Sequence, residues 1–177
     1  MLRAYAFENS APDSVLNRLN DALSECTHSE VFVTLVYGVL DTRARTWHYA
    51  NAGHEPPILL RGETLTSLPH GGVALGAVDS SAAHFEDREL ELGEKDSLFI
   101  FTDGIIEARD ERGQMFGAER LAAVLRDAAG TAAVPAVLQA VKDFAGRAPQ
   151  HDDLTLLCLA GQPAGATETA HANAAHP

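Results

Sequence analysis

The sequence predicts one α+β domain built in layers, and three observations lead to that fold class. The chain has 177 residues, of which 46% are hydrophobic and 21% charged, as in a globular domain with its own core. Apolar residues recur at helical spacing near the start and again after residue 117, and β-rich runs fill the middle. The resulting order of one helix, several strands, two helices and a closing strand is not an alternation of βαβ units.

Residues 10–25 are predicted to form the first helix because their apolar residues share one face. Residues 31–40 form a β-rich run, and residues 47–50 return after a turn at 41–44, which predicts a hairpin. The other predicted elements are strands at 58–60, around Leu65 and Leu68, at 85–92, 97–101 and 154–159, and helices at 117–128 and 134–145. Residues 161–177 contain no large apolar side chain, so we expect a folded domain over 1–160 and a disordered tail.

The charge balance excludes two classes of partner. Lysine and arginine number 13, against 25 aspartates and glutamates, which gives a formal net charge of −12. Nucleic acids and anionic membrane surfaces are bound through lysine and arginine, so neither is an expected partner. No run approaches the roughly 18 apolar residues of a membrane span, and the N-terminus lacks a signal-peptide core, which predicts a cytoplasmic protein.

The two cysteines do not indicate a metal or disulfide framework. Cys26 and Cys158 show no Cys-x-x-Cys spacing, which zinc sites usually require. Cys158 lies within the apolar run 154–159, so we expect it to be a small buried hydrophobic residue.

Two acidic positions stand at the ends of apolar strands. Asp103 follows the strand 97–101 and precedes Gly104, and Asp152 and Asp153 come directly before the strand 154–159. If these strands pair antiparallel, Asp103 and Asp152 meet at one rim of the sheet. Carboxylates there suit hard divalent cations, and two such ions can activate water for phosphoester hydrolysis. The simpler alternatives are a Thr-Asp-Gly turn and a solvated Asp-Asp loop.

One competing enzyme class is weighed directly. Haloacid dehalogenase-type phosphatases also place an aspartate after an apolar strand, in an Asp-x-Asp-Gly motif. Their nucleophilic aspartate would fall at position 101, which is Phe101 here. Chemistry through an aspartyl nucleophile is therefore not expected.

Seven segments, in order along residues 12–155, carry a resemblance to a known family. The segments are 12–20 (PDSVLNRLN), 31–38 (VFVTLVYG), 49–57 (YANAGHEPP), 75–76 (LG), 101–108 (FTDGIIEA), 116–117 (FG) and 151–155 (HDDLT). Together they resemble the metal-dependent protein phosphatases (PPM, protein phosphatase 2C-like). Within these, the chain looks most like the bacterial branch named for stage II sporulation protein E.

The resemblance implies a β-sandwich flanked by helices, with a binuclear Mn²⁺ or Mg²⁺ centre. It implies hydrolysis of phosphoserine or phosphothreonine by a metal-bound water, on STAS-domain proteins of the anti-anti-sigma type. Asp103 and Asp152 match the family's two C-terminal metal ligands, with Asp153 and Gly104 beside them. No catalytic residue beyond the metal ligands is expected, and His54 is expected to bond within a tight turn rather than to bind metal.

The chain departs from the family's pattern at its N-terminal side. The family's Gly-Asp-x-Tyr-Asp-like and Asp-x-x-Gly-His-Gly motifs are absent, and no glycine precedes Gly38. We therefore expect the C-terminal part of the phosphatase domain, with N-terminal strands missing and open sheet edges that favour homo-oligomers. Three functions stay open: a phosphatase, a catalytically incomplete module that binds a phosphoprotein or sigma-factor regulator, and a plain α+β domain.

Overall fold

The computed structural model of the protein describes residue 2 and residues 11–26, 32–79, 81–128 and 130–161. The helices of this part are α1 (Pro12–Cys26), α2 (Gly104–Glu107), α3 (Gly117–Asp127) and α4 (Ala133–Ala145), with a 3₁₀ turn at Gly130–Ala132. The strands are β1 (Leu35–Asp41), β2 (Thr46–Ala52), β3 (Ile58–Arg61), β4 (Thr64–Ser67), β5 (Arg88–Glu91), β6 (Ser97–Phe101) and β7 (Leu156–Ala160). These strands form antiparallel sheets, which confirms the predicted α+β class. None of these helices combines the length and apolarity needed to cross a bilayer.

The described residues divide into two compact units with one sheet each. The first lies within Met1–Pro56 and Pro69–Leu92 and contains the sheet β1-β2-β5. The second lies within Pro57–Leu68 and Gly93–Pro177 and contains the sheet β4-β3-β6-β7.

The predicted hairpin of β1 and β2 is the centre of the first unit. Its register runs from Leu35 opposite Ala52 to Asp41 opposite Thr46, and β5 pairs with the other edge of β2. Helix α1 places its apolar face in the core of this unit, as the helical spacing predicts. That core consists of Val15, Leu16, Leu19, Ala50, Ala52, Leu75 and Phe85.

The glycine-containing segment after β4 is irregular, as predicted, but firmly hydrogen-bonded. Asn20 of α1 is fully buried; its Oδ1 accepts a bond of 2.9 Å from the Gly76 N–H, and its Nδ2 donates to the Val78 carbonyl at 3.3 Å. Val33 and Leu75 exchange two backbone bonds of 2.9 and 2.8 Å. These bonds satisfy backbone groups that a loop without regular structure would otherwise leave unpaired.

The core of the second unit packs α3 and α4 with β6 and β7. Strand β6 is apolar apart from Ser97, and four of its five residues are buried. The Phe116 and Phe144 rings meet edge to face at 5.5 Å, and the Arg120 guanidinium lies 4.7 Å from the centre of the Phe144 ring. The buried core residues are Leu60, Phe99, Phe101, Ile105, Phe116, Leu121, Leu125, Ala133, Val137, Val141 and Leu156.

Several predicted boundaries need correction. Strand β1 begins at Leu35, because Val33 forms only an isolated bridge to Leu75. Strand β7 begins at Leu156 rather than at residue 154, and the predicted strand 85–92 shortens to β5. Residue 10 of the predicted first helix, residue 31 of the predicted strand and residues 162–177 of the predicted tail lie outside the described residues.

Cys158 also differs from its prediction, since it is only partly buried. It packs against the core of the second unit from β7, which lies at the edge of its sheet. Burial nevertheless raises the pKa of its thiol to about 11.

Candidate metal site

Pairing of β6 with β7 brings the two predicted aspartate segments to the same end of the sheet. The strands are antiparallel with Phe101 opposite Leu156, which meets the condition under which the two aspartates are expected at one rim. The Thr102 N–H extends this ladder with a 3.1 Å bond to the Thr155 carbonyl. Asp103 follows one strand at this rim, and Asp152 precedes the other.

The Thr102 side chain ties the two segments together. Its hydroxyl donates a 2.9 Å bond to the Asp153 carbonyl and accepts a 3.1 Å bond from the Thr155 N–H. This pair of side-chain bonds replaces regular ladder bonds where β7 has not yet begun. Thr102 is thus a positioning residue, and the only indication in the sequence was its place between an apolar strand and Asp103.

Gly104 allows the segments to approach closely. A Cβ atom at this position would lie 2.5 Å from the Asp153 carbonyl oxygen and 3.4 Å from the Asp152 Cβ. The first distance is shorter than carbon and oxygen atoms tolerate without displacement. Gly104, which has no side chain, therefore lets the backbone after β6 lie against the backbone of Asp153, beside the aspartate pair.

The carboxylates at this rim are exposed to solvent. The Asp103 carboxylate caps no backbone N–H of α2, although the Asp103 carbonyl accepts a 2.9 Å bond from Glu107. One oxygen of Asp152, Oδ1, accepts a 2.7 Å bond from the Asp153 N–H. The Asp152 carbonyl accepts a 2.8 Å bond from the Gln150 amide, which fixes the loop backbone.

The oxygen chemistry of Asp103 and Asp152 fits a hard divalent cation, but the pair alone does not fit a two-ion centre. Such ions take six or more oxygen ligands. Among the described residues, no group of three or more His, Cys, Asp or Glu side chains is placed to hold a metal ion. A complete centre would need further ligands from outside these residues.

His54 is placed in a hydrogen-bonded turn, as predicted. Asn51 is 2% exposed, and its side chain accepts a 2.8 Å bond from the His54 N–H and donates a 3.0 Å bond to the His54 carbonyl. The ring Nδ1 of His54 lies 3.1 Å from the Thr34 hydroxyl. This turn lies in the first unit, whereas the aspartate pair lies in the second.

The comparisons with known proteins show to which family the chain belongs. A family model described as stage II sporulation protein E matches residues 1–161. The chain belongs to this family. The resemblance seen in the seven sequence segments is thereby confirmed, and with it the placement among PP2C-type phosphatases.

Two curated relatives of this member of the stage II sporulation protein E family are longer proteins. Protein IcfG of Synechocystis is 30% identical over 132 residues, which cover 73% of this chain and 20% of that protein. Phosphoserine phosphatase RsbU of Bacillus subtilis is 31% identical over 104 residues, which cover 58% of this chain and 30% of that protein. The chain thus spans less than a third of the length of either relative.

Solved structures share the fold of this family member. The SiaA-PP2C domain of Pseudomonas aeruginosa matches with a TM-score of 0.72 and 23% identity, over 85% of this chain and 61% of that one. The Mn-presoaked phosphatase domain of SpoIIE from Bacillus subtilis matches with a TM-score of 0.63 and 15% identity, over 95% and 74%. The chain therefore has the fold of PP2C phosphatase domains.

Proposed function

We propose that this chain is part of a metal-dependent protein phosphatase that hydrolyses phosphoserine or phosphothreonine on a regulatory protein. Asp103 and Asp152 are the proposed ligands of Mn²⁺ or Mg²⁺, and Asp153 and Gly104 position them. Bound cations would supply an activated water and stabilise the leaving oxygen. No other side chain is assigned a catalytic role.

One observation carries this proposal: the antiparallel pairing of Phe101 with Leu156, which brings Asp103 and Asp152 to one rim. These aspartates lie within the part of the chain that matches the family model. Oxygen ligands select hard cations such as Mg²⁺ and Mn²⁺ over softer metals. Among the similar structures, one was presoaked with Mn and RsbX was solved in complex with magnesium.

The proposed substrate is a phosphorylated STAS-domain protein of the anti-anti-sigma type. RsbU, one of the relatives, is named a phosphoserine phosphatase. A structure that joins RsbU and RsbW domains, from Mycobacterium tuberculosis Rv1364c, matches with a TM-score of 0.67 over 91% of this chain. A protein substrate also agrees with the exclusion of nucleic acid by the net charge of −12.

A second candidate function is a catalytically incomplete module that binds a phosphoprotein or sigma-factor regulator. The observation that favours it is the small number of metal-ligating side chains at the site. Within the part of the chain that the structure describes, no three metal-ligating side chains converge. Two carboxylates leave most of the coordination shell of each ion to water.

The test is Mn²⁺-dependent hydrolysis of a phosphoserine peptide by the 177-residue chain, with Asp103→Asn run beside it. Asparagine removes the charge with little change of shape, so we expect weaker Mn²⁺ binding, loss of turnover and an intact fold by circular dichroism. Mn²⁺ affinity is measured by calorimetry on the same samples.

Asp127→Asn is the matched control, because Asp127 is an exposed aspartate in the same unit, at the end of α3. Turnover that survives in this control and disappears in Asp103→Asn supports the phosphatase. No metal-dependent turnover from the folded wild-type chain shows that Asp103 and Asp152 are not sufficient in this chain, and favours the binding module. Unchanged Mn²⁺ affinity in Asp103→Asn refutes the ligand assignment.

A further inference from the structure

A cavity of about 700 Å³ opens beside the candidate metal site, within the second unit. It is lined by α2 and the residues that follow it, by the C-terminal half of α4, and by the loop 146–152. Gly104 and Asp152 belong both to this lining and to the candidate site. Its volume falls within the range of ligand pockets, about 300–1,000 Å³, and far exceeds what a phosphate group fills.

Part of the cavity lining is apolar. Leu138, Val141 and Ala145 of α4 face it together with Leu154. Val141 is buried in the core, whereas Leu138 and Leu154 keep part of their surface accessible. Covering such surface with an apolar group is favourable at about 25 cal/mol per Å². The lining therefore favours a ligand that has an apolar side chain.

Two cationic side chains, Arg109 and Lys142, line the same cavity. Both residues are exposed, and among the described residues neither side chain has an ion pair or a hydrogen bond. Glu107 and Asp152 add two carboxylates to the lining. In a chain with a net charge of −12, unpaired cations at a cavity are complementary to acidic groups on a ligand.

The walls of the cavity are held in place by contacts behind them. The Arg120 and Phe116 contacts to Phe144 fix α4 against the start of α3. The Glu111 carboxylate accepts a 3.2 Å bond from the Arg147 N–H, which joins the loop after α2 to the loop after α4. Because these walls are already ordered, little conformational entropy is lost when a ligand binds.

We infer that this cavity is the docking site for the segment of the substrate protein that flanks the phosphorylated residue. That segment carries a large apolar side chain, which contacts Leu138 and Leu154, and acidic residues, which pair with Arg109 and Lys142. The inference rests on the proposed function, because it places the phosphorylated side chain at the Asp103 and Asp152 rim. The expected substrates are therefore proteins with apolar and acidic residues beside the phosphoserine or phosphothreonine.

The test uses three fluorescent phosphoserine peptides and measures their affinity by anisotropy. The first has leucines next to the phosphoserine and glutamates outside them; the second has serine for leucine, and the third glutamine for glutamate. Ala148→Trp fills the cavity and Lys142→Glu reverses one charge, since both residues line it. Ala123→Trp and Lys95→Glu are the controls, at exposed positions of the same unit outside the cavity.

We expect the first peptide to bind the wild-type chain at least tenfold more tightly than the other two. Ala148→Trp removes the advantage of leucine, Lys142→Glu removes that of glutamate, and the controls change neither. Equal affinity for the three peptides, or an advantage that survives both cavity variants, overturns the inference. Mn²⁺-dependent hydrolysis of p-nitrophenyl phosphate, which has no flanking segment, is measured separately and reports on the proposed function alone.

Discussion

The hydroxyl of Thr102 donates a 2.9 Å hydrogen bond to the carbonyl oxygen of Asp153, across residues 51 positions apart in sequence. The same hydroxyl accepts a bond from the Thr155 N–H. One side chain thus fixes the spacing between the segment that carries Asp103 and the segment that carries Asp152. The candidate metal site depends on a residue that has no ligand role.

Replacing Thr102 with valine, which keeps the shape and removes the hydroxyl, should loosen the Asp152–Asp153 segment. We expect a loss of about 1–2 kcal/mol in the free energy of unfolding, together with faster amide exchange at Thr155. Urea unfolding and hydrogen exchange measure these effects. Thr155→Val is the control, because it changes an exposed side chain and keeps the backbone N–H. Equal losses in the two variants would contradict the positioning role.

Gly104→Ala should displace the aspartate segments, because the added Cβ meets the Asp153 carbonyl oxygen at 2.5 Å. The backbone shifts that make room for the methyl group should lower the free energy of unfolding by about 1–3 kcal/mol. Mn²⁺ affinity should fall because the same shifts displace the aspartates. Gly62→Ala is the comparison, since that position is open but has a φ of +61°. Its strain should cost about 1–2 kcal/mol without changing Mn²⁺ affinity. Calorimetric titration measures the Mn²⁺ affinity of both variants. Unchanged affinity in Gly104→Ala would show that the close contact between Gly104 and Asp153 does not position the aspartates.

Asp96 should make stability depend on pH. Burial raises the pKa of this carboxyl, but bonds from Arg61 and from the Gly93 N–H outweigh it and hold the pKa below 3.8. A lowered folded pKa contributes stability above the unfolded pKa and loses it as pH falls through the folded pKa. At pH 7, Asp96→Asn should lower the free energy of unfolding by about 1–2 kcal/mol, since Arg61 is largely exposed.

The difference between wild type and Asp96→Asn should shrink below about pH 4, near the unfolded pKa of aspartate. Urea unfolding from pH 7 to pH 3 measures it. Asp127→Asn, an exposed aspartate of the same unit, should follow the wild-type curve throughout. A difference that is constant across this range would show that the Asp96 charge does not contribute.

The Cys158 thiol should react slowly with iodoacetamide in the folded chain. Its pKa of about 11, against 9.0 without burial, reduces the thiolate fraction at pH 8 roughly a hundredfold. The rate is measured in a Cys26→Ser background, so that one thiol remains. Urea should restore the rate expected for an exposed thiol. Rapid labelling of the folded chain would contradict the burial of Cys158.

Much of the fold could be predicted because its elements have clear periods. Apart from Ser97, strand β6 is an apolar run, and its pairing with β7 is antiparallel, as the expected aspartate rim requires. Helix α2 was missed because four residues are too few to show a helical period, and Thr-Asp-Gly is typical of turns. The sequence predicts a start of β7 at residue 154 because Leu154 extends the apolar run. In the structure, the Thr155 N–H bonds to the Thr102 hydroxyl instead of to a backbone carbonyl, so the strand begins at Leu156.

The candidate site could be predicted only in part. The convergence of Asp103 and Asp152 follows once β6 and β7 are taken to pair antiparallel, but their ligand role remains a prediction. The cavity beside them could not be foreseen, because it depends on how α4 and the loop 146–152 pack around α2. Arg109 and Lys142 look like ordinary surface cations in the sequence, and only the packing places both in one cavity.

The span of 51 positions between Thr102 and Asp153 also has a kinetic consequence. Closing a loop of that length costs about 3–4 kcal/mol of chain entropy, and the intervening helices must compact before the rim exists. Pairing over such a sequence separation is slow, because the loop-closure entropy is lost before the contacts stabilise the chain. The aspartate rim should therefore be among the last features of the second unit to assemble, and a newly made chain would form the proposed cation site only after β7 has docked.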